Sequence, residues 1–299
     1  MLLKTFIKRI CLHGFEKIVR MMPASVWSTH KLRRISQFFL DPSVISNQPH
    51  ERPIGASSFC FLCNPYIFTH TRPYWIGRLH ETGLEYFLAK HLLKGDSFID
   101  VGANFGHVSM LVAKLLGSDV NIIAFEPNPV LARSIDEHFS KQGLSKVTVT
   151  NCALGESESL LTLTIPGAVS GLGNLLGRVD DDDHEGTESY SVQVKTADSI
   201  LTEWLAQHRE LKGRLVVKID VEGFELSVLR GMREVLKEVS ICIIEVSPNW
   251  IGGRDGVLDM WKLLARDGRD SFLLNENGSL TPISHDQISQ QSNVVFKRI

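Results

Sequence analysis

Two rhythms of apolar residues alternate along this chain. Phe98–Val101, Asn121–Phe125, Val147–Cys152, Leu215–Ile219 and Ile241–Val246 are blocks of four to six residues dominated by apolar and β-branched side chains. That length and composition predict strands buried on both faces. Between the blocks, apolar residues recur at helical spacing, as at Val108, Leu111, Val112, Leu115 and Leu116 within His107–Leu116. The segments Glu85–Leu93, Val130–Gln142 and Leu226–Leu236 share that period. Strand and helix in alternation predict a parallel sheet with helices on both faces, an α/β fold. Leu160–Ile165 and Tyr190–Lys195 read as two further extended pieces. The tail, with Phe272–Leu274, a turn at Glu276-Asn277-Gly278 and Asn293–Lys297, reads as a closing hairpin whose last strand is antiparallel.

The first forty residues follow a different pattern. Leu3, Phe6, Ile7, Ile10, Phe15, Ile18, Val19 and Met22 fall on one helical face with basic residues between them, which predicts an amphipathic helix. Eight Lys or Arg stand against Glu16 alone in residues 1–40, so the segment carries +7 and the remainder −9 of the net −2. Such a helix can cover the main domain, pack on a second copy in a homo-oligomer, or lie on an anionic membrane surface. From Asp41 to Pro53 three prolines with Ser, Asn and His give a linker composition. The expected division is residues 1–53 as a basic helical extension with its linker and residues 54–299 as the main domain.

Composition narrows the classes. The chain has 299 residues, 43% hydrophobic and 22% charged, enough for one large core. The near-neutral balance lends nothing to nucleic-acid binding. The sequence has no run of eighteen apolar residues, and its start lacks the apolar block of a secretory signal. Five cysteines, an odd number in a chain too long to need stapling, fit a reducing, cytoplasmic setting. Cys60 and Cys63 form a C-x-x-C with no second pair, which reads as structural.

The chemistry lies where strands end. In an open parallel sheet, ligands bind beyond the carboxyl ends of the strands. Here those ends carry acids: Asp100, Glu126, Asp220 with Glu222, and Glu245. After Asp100 comes Val101-Gly102-Ala103-Asn104-Phe105-Gly106, a turn whose glycines allow a sharp bend and close ligand approach. Glu126 stands about one βαβ unit further on, where a carboxylate accepts both hydroxyls of a ribose. A nicotinamide dinucleotide would want glycine at the second and third marks of G-x-G-x-x-G, whereas this loop has Asn104 at the second and reads G-x-x-x-G. An acid at the loop head repels a pyrophosphate and attracts a cationic ligand. Together these features favour S-adenosylmethionine over NAD.

The chain resembles the FkbM-type S-adenosylmethionine-dependent methyltransferases from about Glu81 to the C-terminus. The motifs are Phe98-Ile99-Asp100-Val101-Gly102-Ala103-Asn104-Phe105-Gly106, Ala124-Phe125-Glu126-Pro127-Asn128-Pro129, Asn151-Cys152-Ala153-Leu154-Gly155, Lys218-Ile219-Asp220-Val221-Glu222-Gly223-Phe224-Glu225 and Ile244-Glu245. The resemblance implies a Rossmann-like methyltransferase fold, a mostly parallel seven-stranded sheet. It also implies O-methylation of a sugar, glycan or natural-product hydroxyl. Asp100, Gly102, Asn104, Gly106, Glu126, Asn128 and Ala153 are the expected cofactor residues.

An alcohol becomes a useful nucleophile when a base takes its proton or a metal lowers its pKa. Asp220, Glu222 and Glu245 are the candidates, as base and orienting groups or as oxygen ligands of a divalent cation. Asp220 and Glu222 share a face if the strand runs through them. Lys218 has two readings, an ion pair with Asp220 or a catalytic role. His107 fits a structural hydrogen bond or a substrate contact. Ser170-Gly171-Leu172-Gly173-Asn174 reads as a loop over the acceptor, and Asp180–Asp183 with His184 and Glu185 as a solvated acidic loop. The rivals to methyl transfer are a NAD-dependent oxidoreductase and a non-catalytic cofactor-binding partner subunit.

Overall fold

The computed structural model describes residues 2–22, 28–42, 44–46, 48–54, 57–117, 119–165, 188–207, 213–265 and 268–298, with side chains from residue 11 onward. The amino-terminal part holds α1 (Leu2–Met21), α2 (Thr29–Ser36), β1 (His50–Pro53), β2 (Cys60–Cys63), α3 (Thr71–Ile76) and α4 (Thr82–His91). Then follow β3 (Ser97–Val101), α5 (His107–Leu116), β4 (Ile122–Phe125), α6 (Pro129–Lys141), β5 (Val147–Thr150), β6 (Ala153–Leu154), β7 (Ser159–Ile165), β8 (Glu188–Lys195) and α7 (Ala197–Gln207). The chain continues through β9 (Leu215–Ile219), α8 (Glu225–Arg230), α9 (Val235–Glu238), β10 (Val239–Val246), α10 (Gly253–Ala265), β11 (Arg269–Leu274), β12 (Leu280–Pro282) and β13 (Ser292–Arg298).

The main sheet has eight strands in the order β12-β11-β13-β10-β9-β3-β4-β5. The run from β10 to β5 is parallel, and β13 is antiparallel to both its neighbours. This is a Rossmann-like sheet with one strand more than the seven expected, because the turn at Glu276 to Gly278 joins β11 to the short edge strand β12. The tail is therefore more than a hairpin. β13 inserts between β11 and β10 and closes the sheet through backbone pairing on both edges. The extended pieces at β7 and β8 leave the main sheet and form a three-stranded sheet with β6.

Strand alternation divides the interior. Phe98, Ile122, Ala124, Val216 and Ile243 face one core with residues of α5 and α6. Ile99, Val101, Ile123, Phe125, Val217 and Ile219 face the other, against α7, α8 and α10. Both faces of β3, β4 and β9 are covered, as their continuous apolar runs require.

The amino-terminal part is built into the first of these cores. Val19, Leu32, Phe39, Ile45, Phe61 and Trp75 are buried in the same cluster as Phe98 and Val112. Phe15 of α1 stacks on Phe39 with ring centroids 5.0 Å apart and meets the edge of Trp75 at 5.1 Å. The prolines of residues 41–53 do not mark a free linker, since β1 pairs along its whole length with β2. A boundary after Pro53 falls inside that hairpin. The helical pattern over Leu226–Leu236 is also interrupted. A Cβ on Gly231 would stand 1.9 Å from the Gly155 carbonyl oxygen, so the chain breaks there into α8 and α9. Asp198 then accepts the backbone N–H groups of Glu234 at 3.0 Å and Val235 at 2.9 Å. All five cysteines are free thiols. No helix among the described residues is long and apolar enough to cross a membrane.

Candidate functional site

The loop after β3 is shaped by close packing. Gly102 has φ +83°, and a Cβ there would lie 1.9 Å from the Asp220 carbonyl oxygen. The N–H groups of Gly102 and Ala103 both donate to the Phe125 carbonyl, at 3.0 and 2.9 Å, tying the loop to the end of β4. Gly106 has φ +69°, and a Cβ there would meet Phe139 of α6 at 2.7 Å. Gly102→Ala is therefore expected to destabilise the protein by about 2–4 kcal/mol, through a forced left-handed backbone and a steric overlap. Denaturant titration measures this, and an unchanged midpoint would contradict the packing argument.

Among the described residues only Asn104, at φ +53°, and Glu222, at φ +52°, combine a side chain with a left-handed backbone. Both line the same cavity. Strain of this kind persists where the surroundings enforce it and clusters at functional sites.

Glu126 sits just past β4 and is 6% exposed. One carboxylate oxygen accepts the Asn104 N–H at 2.7 Å and the other the Asn128 N–H at 2.8 Å. Burial pushes its pKa up to about 7 against those two hydrogen bonds. Asn128 caps α6 by accepting from Val130 N–H at 2.9 Å, and the Asn151 amide donates to the carbonyls of Glu126 and Pro127 at 2.9 and 3.0 Å. The carboxylate is thus fixed by backbone on both sides and keeps lone pairs for a ligand.

At the end of β9, Lys218 Nζ donates to Asp220 Oδ2 at 2.7 Å. Lys218 is 3% exposed. Burial opposes its charge, but Asp220, Glu81 and Asp100 outweigh that and raise its pKa. The strand stops at Ile219, so Asp220 and Glu222 do not share a pleat. The left-handed turn at Glu222 and Gly223 brings them together instead, stabilised by Glu225, which accepts the N–H groups of Val221 at 3.2 Å and Gly223 at 3.0 Å. Glu245, on β10, completes the group, and one ligand-competent oxygen from each of Asp220, Glu222 and Glu245 lies within 4.8 Å of the others. Burial and then the neighbouring Asp220 push Glu222 up to about 8. Burial, Asp220 and Glu81 raise Glu245 as well.

These groups line a cavity of about 520 Å3, well within the range of small-molecule sites. One side is the strand-end surface just described, with Cys152, Ala153 and Leu154. Ile67, Phe68, Thr69, His70, Leu79 and His80, from the segments around α3, also line the cavity, with His70 against the edge of Phe105 at 4.1 Å. Burial lowers the pKa of His70 and His80, so this wall is neutral imidazole and aromatic ring, and burial also lowers that of His107, at the start of α5, to about 4. Phe68 packs between His30, at 5.0 Å, and His80, at 5.5 Å.

The methyltransferase FkbM domain matches residues 100–272 of this chain, more than half its length. The chain belongs to the FkbM methyltransferase family. Methyltransferase 1 of Beauveria bassiana (strain ARSEF 2860) is 30% identical over 151 residues, 46% of this chain and 59% of that protein. Hexuronic acid methyltransferase AglP of Haloferax volcanii is 30% identical over 152 residues, 50% of this chain and 56% of that protein. The matches thus span less than three fifths of either relative. A crystal structure of an FkbM methyltransferase from Methylobacillus flagellatus KT aligns with 71% of this chain and 47% of its own, at 18% identity and a TM-score of 0.42.

Membership of the FkbM family implies S-adenosylmethionine as cofactor and displaces the nicotinamide reading. The described residues fit that group. Asn104 Oδ1 is buried at the cavity wall with no hydrogen-bond partner, and the carboxylates suit a cation.

Of the residues expected to hold it, Gly102, Asn104, Glu126, Asn128 and Ala153 line the cavity, as do Asp220, Glu222 and Glu245. Asp100 and Gly106 do not appear in the lining. Asp100 is fully buried and turns toward α5, where Ser109 Oγ donates to it at 2.6 Å; its place on β3, alternate to Val101, dictates that direction. It acts on the cavity through charge, on Lys218. Gly106 serves the packing of α5 on α6. His107 lines the cavity, and its Nε2 lies 2.7 Å from the Leu62 carbonyl. The segment Ser170–Asn174 and the acidic run Asp180–Glu185 lie outside the described residues.

Glu81 is a further acid at the site, outside the strand-end set. It lies at the start of α4, lines the cavity and accepts from the Asn293 amide of β13 at 2.7 Å. It stands between α3 and α4 rather than at the end of a strand, so the strand-end rule cannot find it. Glutamate is not a favoured N-cap and its side chain makes no cap hydrogen bond, so no capping signal marks it in the sequence.

Proposed function

We propose that this protein transfers a methyl group from S-adenosylmethionine to an acceptor hydroxyl of a sugar, glycan or other small molecule. The observation that carries this is the meeting of Asp220, Glu222 and Glu245 at the mouth of the sheet, beside the Glu126 wall and within one cavity. The cofactor supplies an electrophilic methyl on a sulfonium sulfur. In this reading Glu126 takes the ribose hydroxyls, while Gly102, Asn104, Asn128 and Ala153 shape the adenosyl wall. Glu222 accepts the acceptor's proton, and Glu245 with the Lys218–Asp220 pair orients the hydroxyl. Asp100 tunes Lys218 from below.

The aromatic and imidazole wall at Phe68, His70 and His80 supports an uncharged ring or polyol as acceptor. AglP is named for methylating a hexuronic acid, which supports the sugar class. The free thiols support a reducing compartment such as the cytoplasm.

A divalent cation on Asp220, Glu222 and Glu245 is the second reading, favoured by the spacing of their oxygens. Proton transfer is the stronger one, because Asp220 already has its counter-ion in Lys218 Nζ at 2.7 Å. The test is transfer of labelled methyl from S-adenosylmethionine to a panel of neutral glycosides, uronates and simple alcohols, with and without exhaustive chelation. Labelled product that survives chelation supports the first reading, and loss restored by added magnesium supports the second. Cofactor binding without transfer to any acceptor would mark a non-catalytic subunit.

A further inference from the structure

The amphipathic helix α1 has a wider apolar arc than the body covers. Leu12, Phe15 and Val19 point into the core cluster. One step round the helix, Ile18, Met21 and Met22 form a second stripe that is 58%, 76% and 40% exposed. Residues 18, 21 and 22 are neighbours on one helical face, so the stripe is continuous. Ile35 and Phe38, in and just after α2, are 42% and 58% exposed. The two groups flank a shared seam, since Phe15 stacks on Phe39 and Phe38 meets the edge of Phe39 at 5.2 Å. Scattered apolar side chains need no explanation, but five beside one seam do.

Charge identifies the occupant. Lys17, Arg20, Lys31 and Arg34 are exposed on the same two helices. The one acid of residues 1–40, Glu16, is tied to Arg52 at 3.2 Å. A second copy of the chain would bring two strongly basic faces together, which opposes self-association. Nucleic acid would use the cations and leave the Ile and Met side chains without a role. An anionic bilayer satisfies both, with apolar side chains in the acyl boundary and basic ones among the headgroups.

We propose that the outer face of α1 and α2 docks this protein on an anionic lipid surface. The same helices also help to cover the core below the cavity wall, so docking would hold that wall near the membrane. The inference does not depend on methyl transfer.

The test is co-sedimentation of the full chain with vesicles of phosphatidylcholine, alone or mixed with phosphatidylglycerol, across a salt series. The wild type is expected to bind the mixed vesicles, to leave the neutral ones in solution, and to be released as salt rises. Ile18→Asp combined with Met22→Asp, and separately Lys17→Glu combined with Arg34→Glu, are each expected to cut binding to mixed vesicles at least about tenfold, since one basic residue near the surface is worth about fivefold. Both pairs are exposed, so melting temperatures should stay at the wild-type value. Salt-insensitive binding, no binding to either vesicle, or equal binding by wild type and both variants would overturn the proposal. A lipid-independent dimer that Ile18→Asp with Met22→Asp dissolves would overturn it in favour of self-association.

Discussion

Glu126→Ala is expected to weaken S-adenosylmethionine binding about 10²- to 10³-fold, measured by titration calorimetry on the folded variant. Two losses combine. The carboxylate no longer accepts the ribose hydroxyls, and each charge-assisted hydrogen bond of that kind contributes about 1.5–3 kcal/mol. The N–H groups of Asn104 and Asn128 also lose their acceptors, which loosens the loop that forms the adenosyl wall. Glu126→Gln, which keeps one acceptor oxygen, should fall between wild type and alanine. With the carboxyl pushed up to about 7 by burial, it ionises as pH rises through neutrality. Wild-type affinity should then increase from pH 6 to pH 8, and the glutamine variant should lose that slope. Unchanged affinity in Glu126→Ala would remove Glu126 from the cofactor site.

The strand-end rule located these groups because parallel sheets put every carboxyl end on one edge. Asp220, Glu222 and Glu245 are remote in sequence or, for the first two, separated by a turn, yet they meet because β9 and β10 are adjacent and parallel. What the pattern could not supply was side-chain direction at the strand ends. Asp100 and Glu126 look equivalent as acids that close apolar runs. One turns under the sheet to Ser109, and the other stands past the last pleat and faces the cavity. Glu126 lies two residues beyond Ala124, the register partner of Asp100, so alternation alone would put both acids on one face; they part because β4 ends at Phe125 and Glu126 is held by the Asn104 and Asn128 N–H groups. Asp220 and Glu222 came together for a different reason from pleat alternation, since a left-handed turn at Glu222 lies outside what propensity anticipates.

The amino-terminal part was read less well, and composition explains why. Prolines and polar residues in 41–53 signal a linker, but a strand that pairs along its length needs no hydrophobic run when its partner, β2, supplies Phe61 and Cys63 to the core. One consequence bears on specificity. The family match begins at residue 100, whereas the Phe68, His70 and His80 wall and Glu81 lie before it. The family match covers the glycine loop, Glu126 and the Asp220, Glu222 and Glu245 group, and leaves the lining residues of 67–81 outside it. Acceptor choice is therefore expected to follow residues 67–81 more closely than the glycine loop.

Glu222→Gln is expected to lower kcat for methyl transfer by about 10²- to 10⁴-fold, the range for loss of a positioned general base, with a smaller change in KM. Glu222 works as a base only when ionised, and its pKa is pushed up to about 8 by burial and by Asp220. Wild-type kcat should therefore climb with pH and level off above about 8, and the residual rate of the variant should lose that limb. Stability runs the other way. A carboxyl whose folded pKa lies above its unfolded value binds its proton more tightly in the folded state. Its contribution is present in full below the unfolded value near 4.5 and is lost as pH rises through about 8. Glutamine mimics the protonated form at every pH. The variant should melt close to wild type at pH 5 and higher than wild type at pH 9, measured by scanning calorimetry at both. A variant that is slow and also less stable at pH 9 would mean that Glu222 is a structural acid held by its neighbours. A bound cation predicts a third pattern, because its charge would depress all three carboxyl pKa values. The pH 9 advantage of glutamine would then appear only after chelation.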